Sequence, residues 1–414
     1  MANPRTLLLL FLLHLLVPPS PSHLTISRPD LAALASVKNS LTDIPGTLFF
    51  STWNFSSSHD PCYCFSGVTC SFNRVTTLTL GTGLSGSPGL SGSLSPSISN
   101  LARLTQLILY PGFVTGPIPP QLGRLSNLRV LSLTNNRLTG PIPASLSSLR
   151  KLHTLDLSNN QLTGSIPPSI FSLPELKVLI LASNSLSGKL PWRLSAELLH
   201  LDLRSNKLTG GLPLELPSSI RYLSVSNNNM WGPLNGLLSL SSGSEVSELV
   251  YLDLSMNQFS GTIPSSLFNP TLTSLFLQRN NFSGGLPTSP SPVAYGEGSI
   301  VDLSHNLIGG EITPALARVE SLFLNNNHLI GNVPPEYVKS VCRGSTRTLY
   351  LQHNFITGFP LEDGLSLPAT VALCLSYNCM ATSVGLAGCP AGAGGSSSRP
   401  ASQCAVFNNE STVH

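Results

Sequence analysis

The chain has 414 residues, long enough for two or three ordinary domains. Only 10% of them are charged, against roughly a quarter in an average soluble domain, while Gly and Pro number 34 each. A net charge of +3 with no basic run excludes a nucleic-acid surface, and a 41% hydrophobic content excludes a disordered chain.

At the N-terminus, Arg5 precedes the eleven-residue run Leu7–Val17, and the small residues Ser20 and Ser22 stand before a cut at His23. This pattern predicts a signal peptide over residues 1–22, because a membrane span needs about 20 apolar residues. No later stretch is long and apolar enough to span a bilayer, and the end, Ala405–His414, is polar. The mature chain is therefore expected to be exported and soluble. Export makes the eight cysteines candidates for disulfides, and it makes Asn54, Asn281 and Asn409, each in an Asn-x-Ser tripeptide, candidates for glycosylation.

After the signal, Ser27 and Asp30 precede Leu31, Leu34, Val37 and Leu41, the pattern of a capping box that opens an amphipathic helix. Trp53 and the segment Asp60–Cys70, with Cys62, Cys64 and Cys70, follow.

From residue 78 onward the chain repeats itself. The segments Leu131-Ser-Leu133-Thr-Asn-Asn136, Leu155-Asp-Leu157-Ser-Asn-Asn160 and Leu179-Ile-Leu181-Ala-Ser-Asn184 stand in register, as do Leu201–Asn206 and Leu252–Asn257. The first Leu, or its substitute, falls at 78, 107, 131, 155, 179, 201, 223, 252, 275, 301, 322, 349 and 373. These thirteen copies lie 21 to 29 residues apart, and an Asn sits five residues after that position in eleven of them; the first two have Gly83 and Gly112. Leu-x-Leu alternates with period two, so each copy predicts a short strand with its leucines inward. Stacked copies form a parallel sheet, because one unit alone cannot bury its leucines. The Asn turns the chain out of the strand, and its amide can satisfy backbone groups left open by the bend, which builds an internal ladder. Between strands recur Thr139-Gly-Pro-Ile-Pro143, Thr163-Gly-Ser-Ile-Pro167 and Ser260-Gly-Thr-Ile-Pro264, for which an extended, turn-like outer side is expected.

Read from these residues, the repeat L-x-x-L-x-L-x-x-N-x-L-x-G-x-I-P resembles the plant-specific class of extracellular leucine-rich repeats. That class includes receptor-kinase ectodomains, receptor-like proteins and polygalacturonase-inhibiting proteins. The resemblance covers roughly residues 27–390. It implies an α/β repeat solenoid, a right-handed superhelix of about 13 repeats with a parallel β-sheet on the concave face and a helical N-terminal cap. The expected organisation is a signal peptide at 1–22, a cysteine-containing cap at 23–74, the solenoid at 75–378, and a cysteine-containing cap with a polar tail at 379–414. The N-terminal cap is similar to the family's, with Phe65 where Trp is usual and without an additional upstream Cys.

Twelve strand spacings of about 4.8 Å put the caps nearly 60 Å apart. Cys62, Cys64 and Cys70 therefore cannot pair with Cys342, Cys374, Cys379, Cys389 or Cys404 in one molecule. Three and five are odd, so a thiol is left over at each end unless chains are cross-linked. The resemblance implies a Cys64–Cys70 disulfide with Cys62 free; connectivity at the other end stays open.

No residue constellation for catalysis is evident. Gly81, Gly83 and Gly86 match G-x-G-x-x-G, but no helix pattern and no ribose-binding acid follow, so dinucleotide binding is not expected. There is no Cys-x-x-Cys, His-Glu-x-x-His or Gly-x-Ser-x-Gly, and no metal, cofactor or enzymatic activity is expected. Asp156, Asp202, Asp253 and Asp302 share one column, for which a turn or surface role is expected.

The positions one before, one after and three after the first Leu point away from the core. In repeats two to five they hold Ile108, Val130, Ser132, Thr134, Thr154, Val178 and Ile180. In repeats seven to twelve they hold Tyr222, Tyr251, Phe276, Phe323 and Tyr350, with Gln278, Asn325 and Gln352 beside them and His200 and Arg204 at the edge. Solvent-facing rings with polar neighbours have the composition of a binding hot spot, although the same rings stacked in a ladder would also stiffen a sheet. The longer spacers Leu237–Glu248 and Tyr337–Arg347 read as loops at the ligand edge or as tolerated insertions. The expected function is secreted, non-catalytic recognition of a protein or peptide on the concave face, in signalling or defence, with a receptor-kinase ectodomain as partner. The alternative is a polygalacturonase inhibitor that blocks a cell-wall hydrolase; such inhibitors carry fewer repeats.

Overall fold

The computed structural model describes residues 26–56, 60–83, 89–238, 248–288, 292–361, 367–380, 389 and 398–408. The signal peptide, the Gly86 end of the glycine motif and the Asn409 tripeptide lie outside them.

The Leu-x-Leu segments form short strands such as Val130–Ser132 and Thr154–Asp156, each half-buried, buried, half-buried along its length. The central leucines Leu131 and Leu155 are fully buried while the flanking side chains face outward, as period-two alternation requires. Among the described residues, Arg74–Leu80 is followed in one sheet by twelve parallel strands ending at Ala372–Cys374, one for each repeat counted in the sequence. A fourteenth strand, Val68–Ser71, closes the cap edge as an antiparallel hairpin on Arg74–Leu80. Its two-residue turn places Phe72 and Asn73 at φ 47° and 56°.

The outer side is more regular than a set of turns. The Thr-Gly-Pro-Ile-Pro segments pair with one another into a second sheet of thirteen strands, represented by Arg137–Pro141 and Gln161–Ser165. Gly140 sits at φ +76°, where an L side chain is disfavoured, and this lets the strand bend before Ile142 enters the core. Proline then stops the pairing, and 3-10 turns such as Ala144–Ser148 return the chain to the next strand. The core is the row of Leu, Ile and Phe between the two sheets; Leu131, Leu133, Leu138, Leu146, Leu149 and Leu152 are all fully buried.

The expected ladder is present. Asn160 Oδ1 accepts from Leu138 N of the preceding repeat at 3.0 Å, and its Nδ2 donates to Leu133 O and Leu157 O at 2.9 and 3.1 Å. The same bonds recur from Asn184 to Asn378, whose Oδ1 accepts from Ile356 N, while Asn136 Oδ1 accepts from Val114 N and its Nδ2 donates to Tyr110 O and Thr134 O. Each amide thus closes its own bend and ties it to the repeat before.

Both ends are covered. The helix Arg28–Ser40 opens on Ser27, whose Oγ accepts from Asp30 N. The reciprocal half of the box differs from expectation. Asp30 is wholly buried, receives Arg74 Nη2 at 2.9 Å and Val75 N at 2.8 Å, and so ties the helix to the first strand. Trp53 is fully buried, stacks on Phe65 at 5.2 Å and donates from its indole to Ser66 O at 2.9 Å. At the far end Arg399 donates to Asn354 O at 3.0 Å, and its guanidinium lies 4.0 Å over Phe355 and 4.8 Å over Tyr377. The disulfides Cys374–Cys389 and Cys379–Cys404 fasten this tail to the last repeat.

The Cys64–Cys70 pairing is overturned: Cys70 is bonded to Cys62, and Cys64 is an exposed thiol. Cys62 and Cys64 lie on the one-turn helix Pro61–Cys64, where residues two apart point about 200° away from each other. Asp60 accepts from Cys62 N and fixes the turn so that the half-buried Cys62 faces the core and Cys70, while Cys64 faces water. At the other end the two disulfides take four of the five cysteines. Cys64→Ser should therefore leave stability unchanged in denaturant unfolding, whereas Cys70→Ser should cost about 2–3 kcal/mol through the lost loop constraint. Equal losses in the two variants would contradict this pairing.

Candidate functional site

The face opposite the leucines is assembled one strand at a time, so parallel register decides which side chains meet. His200 pairs with Tyr222 and Tyr222 with Tyr251, which brings three predicted residues into one column. Their rings stack almost face to face, His200 on Tyr222 at 4.0 Å and Tyr222 on Tyr251 at 4.3 Å, with interplanar angles of 5° and 7°. Phe276 stands in the next column and meets Tyr251 at 5.6 Å in a tilted contact. Phe323 and Tyr350 form a separate edge-to-face pair at 5.2 Å. The repeat carrying Ile300, Asp302 and Ser304 divides the two groups. All these rings are half-buried.

The polar neighbours differ from expectation. Asn325 and Gln352 are buried, at 8% and 4% exposure, because side chains on the inside of a curved sheet converge. The Oε1 atoms of Gln278 and Gln352 are shielded and have no hydrogen-bond partner. A buried amide oxygen without a protein donor is a desolvated acceptor, which costs stability. Arg204 is exposed and its Nε lies 3.5 Å from Asp202 Oδ2.

The aspartate column closes the strand ends. Asp156 Oδ1 accepts from Ser158 N and Oγ at 3.0 and 2.7 Å, and Asp253 holds Ser255 in the same way. Asp302 accepts from Ser304 N and Asp202 from Arg204 N. Among the described residues no group of three or more His, Cys, Asp or Glu is placed to hold a metal ion.

A further row escaped sequence reasoning. The residue just before each ladder Asn adopts left-handed φ between 52° and 60°, from Asn135 through Met256, Arg279, His305 and His353 to Tyr377. This conformation swings the side chain to the rim of the face. Met256 is 50% exposed, Asn326 Nδ2 lies 3.4 Å from His305 Nε2, and the His353 and Tyr377 rings are 4.9 Å apart. The signal was available in register: Asn and Ser fill this column early, and Met, Arg, His and Tyr, interrupted by Asn326, fill it late.

Burial holds the His200 imidazole below its ordinary 6.5; Asp202 and Asp156 oppose the shift and Arg204 adds to it. Burial also lowers His305, which faces Arg279 and His353, and raises the carboxyls of Asp202 and Asp302. The folded chain binds the His200 proton less tightly than the unfolded chain does. Its contribution to stability is complete above 6.5 and is lost as pH falls from there toward the folded value. Asp202 acts oppositely, adding stability as pH falls through its raised value toward 3.8. His200→Gln should therefore flatten the loss of stability between about pH 7 and pH 5, measured by thermal melts, with wild type falling further than the variant. Parallel curves for the two proteins would contradict it.

Sequence-profile comparison matches a leucine rich repeat N-terminal domain over residues 27–71 and leucine rich repeat models over 118–162, 150–192, 197–218 and 248–270. Three similar solved structures share the fold. A plant ice-binding protein is 28% identical with a TM-score of 0.58, covering 70% of this chain and 90% of its own. The PEPR1-AtPEP1 structure is 29% identical with a TM-score of 0.57, covering 86% of this chain and 56% of the other. The plant peptide hormone receptor RGFR1 in complex with RGF2 is 29% identical with a TM-score of 0.57, covering 70% and 50%. The chain thus spans about half the length of the latter two. Comparison with curated protein sequences returned no match.

Proposed function

The chain belongs to the plant-type extracellular leucine-rich-repeat proteins, and from that membership we propose that it is a secreted, non-catalytic recognition protein that binds an extracellular peptide or protein segment along its concave sheet. The observation that carries this reading is the set of half-buried rings that parallel register assembles on one face, His200, Tyr222 and Tyr251 stacked with Phe276 beside them. The apolar side chains of an extended peptide pack on such rings, and the polar side chains beside the rings fix its register. One of the similar structures is a plant peptide hormone receptor in complex with RGF2, and this supports the reading. Another is an ice-binding protein, so the fold alone does not choose the ligand; the side chains do.

On this reading the partner is a peptide together with, or presented by, a receptor-kinase ectodomain, and the role lies in signalling or defence at the cell wall. The disulfides fit an oxidising extracellular setting. The test is affinity capture from an extracellular plant extract with the glycosylated protein as bait. Recovery of a peptide or a kinase ectodomain is the expected result. Recovery of a pectin-degrading hydrolase, slowed by the protein in an activity assay, would replace this reading with that of an inhibitor.

A further inference from the structure

The second sheet carries an exposed indole that the concave site does not use. Trp231, on the strand Asn229–Gly232, is 52% exposed. It borders a shallow groove of about 660 Å³ lined by Gly232, Asn257, Gln258, Ser260, Asn280 and Asn281. None of these residues is charged, and a Cβ on Gly232 would meet nothing within 4 Å, so the groove is open above the backbone. Its far end is Asn281, the first residue of the tripeptide Asn281-Phe282-Ser283. Along the strand Asn281–Gly284 the alternation turns Phe282 fully into the core and leaves Asn281 exposed on the same side as Ser283. Parallel pairing sets Trp231 beside Gln258 and Ser260 beside Asn281. Two strand spacings and a two-residue stagger then separate Asn281 from Trp231 by roughly 12 Å.

We propose that Asn281 carries an N-linked glycan that folds back along this groove, with its first two N-acetylglucosamine units over the Trp231 indole. The inference rests on the reading that the chain is exported. In the attachment step Asn281 Nδ2 bonds to C1 of the sugar of a lipid-diphosphate oligosaccharide. The C1–O bond breaks, the lipid diphosphate leaves, and the amide gives up one proton. The C–H face of a pyranose ring is apolar and packs on an aromatic face, while the acetamido and hydroxyl groups meet the exposed Gln258 amide. An uncharged groove suits neutral sugars, and the glycan would cover apolar surface otherwise left in water.

The experiment compares protein secreted from plant cells with its Ser283→Ala variant, which loses the acceptor tripeptide but keeps Trp231 and Asn281. Both are oxidised under native conditions and their tryptophans are followed by peptide mass spectrometry. Trp192, 64% exposed, and the buried Trp53 serve as references within the same molecule. Trp231 should oxidise several-fold more slowly in the glycosylated protein, with Trp192 unchanged between the two. Equal rates at Trp231 overturn the proposal, as does a bare Asn281 in the secreted chain. Export is judged separately, by recovery from the medium and by a glycan on the exposed Asn54; a secreted chain with sugar at Asn54 alone overturns the groove proposal and leaves export standing.

Discussion

Replacing Asn228 with leucine should destabilise the chain by about 3–5 kcal/mol, because it strands several buried backbone groups at once. Asn228 is 9% exposed, and its Oδ1 accepts from Leu208 N at 2.9 Å. Its Nδ2 donates to Leu203 O at 3.1 Å and to Val225 O at 2.9 Å. Leucine fills similar volume and can replace none of these bonds. The damage is not local: in a solenoid each repeat is stabilised by its neighbours, so a defect between the sixth and seventh copies weakens both halves. Chemical unfolding should show a lower midpoint and a broader or split transition. The neighbouring Asn227 is the control. It is exposed at φ 52°, and Asn227→Gly should change stability little, because glycine adopts that conformation freely. A loss below about 1 kcal/mol at Asn228 would mean that water replaces the amide and that the ladder is not structural.

The ladder and the strands were legible because the physics that builds them is periodic. Each Leu and each Asn answers a demand that recurs along the chain, so thirteen copies state the strand and eleven of them state the ladder. The pairing of the outer segments into a second sheet was not legible. Thr-Gly-Pro-Ile-Pro reads locally as a turn, and only stacking supplies the neighbour that makes it a strand. The disulfide was missed for a related reason. Choosing between Cys62 and Cys64 depends on the phase of a single helical turn, which Asp60 fixes through one hydrogen bond to Cys62 N. On the concave face the columns were predictable by counting, so the rings fell where expected. The burial of Gln352 and the outward swing of His305 and His353 were not, since they follow from curvature and from left-handed bends that counting does not contain.

That distinction decides how the candidate site is to be tested. Changing Tyr222, Tyr251, Phe276 and Phe323 together to Ala should weaken ligand binding by at least about a hundredfold, since hot-spot rings contribute 2 kcal/mol or more each when they contact a partner. The same change removes two ring stacks and two other ring contacts, which costs about 2–4 kcal/mol of stability whatever the rings are for. Loss of stability therefore cannot separate a binding patch from a stiffening ladder; binding, measured on protein shown to be folded by circular dichroism, can. Changing Gln278 and Gln352 to Leu supplies the opposite sign. In the free protein their buried oxygens lack donors, so removing them should leave stability unchanged or raise it by about 1 kcal/mol. Since those oxygens are shielded, a ligand meets the rings rather than them, and the same variant should keep its affinity within about threefold, at about 1.4 kcal/mol per factor of ten. A ring variant that loses affinity beside a glutamine variant that keeps it is the expected signature of recognition by the aromatic surface. Unchanged affinity in both variants would place recognition elsewhere, on the left-handed rim or the second sheet.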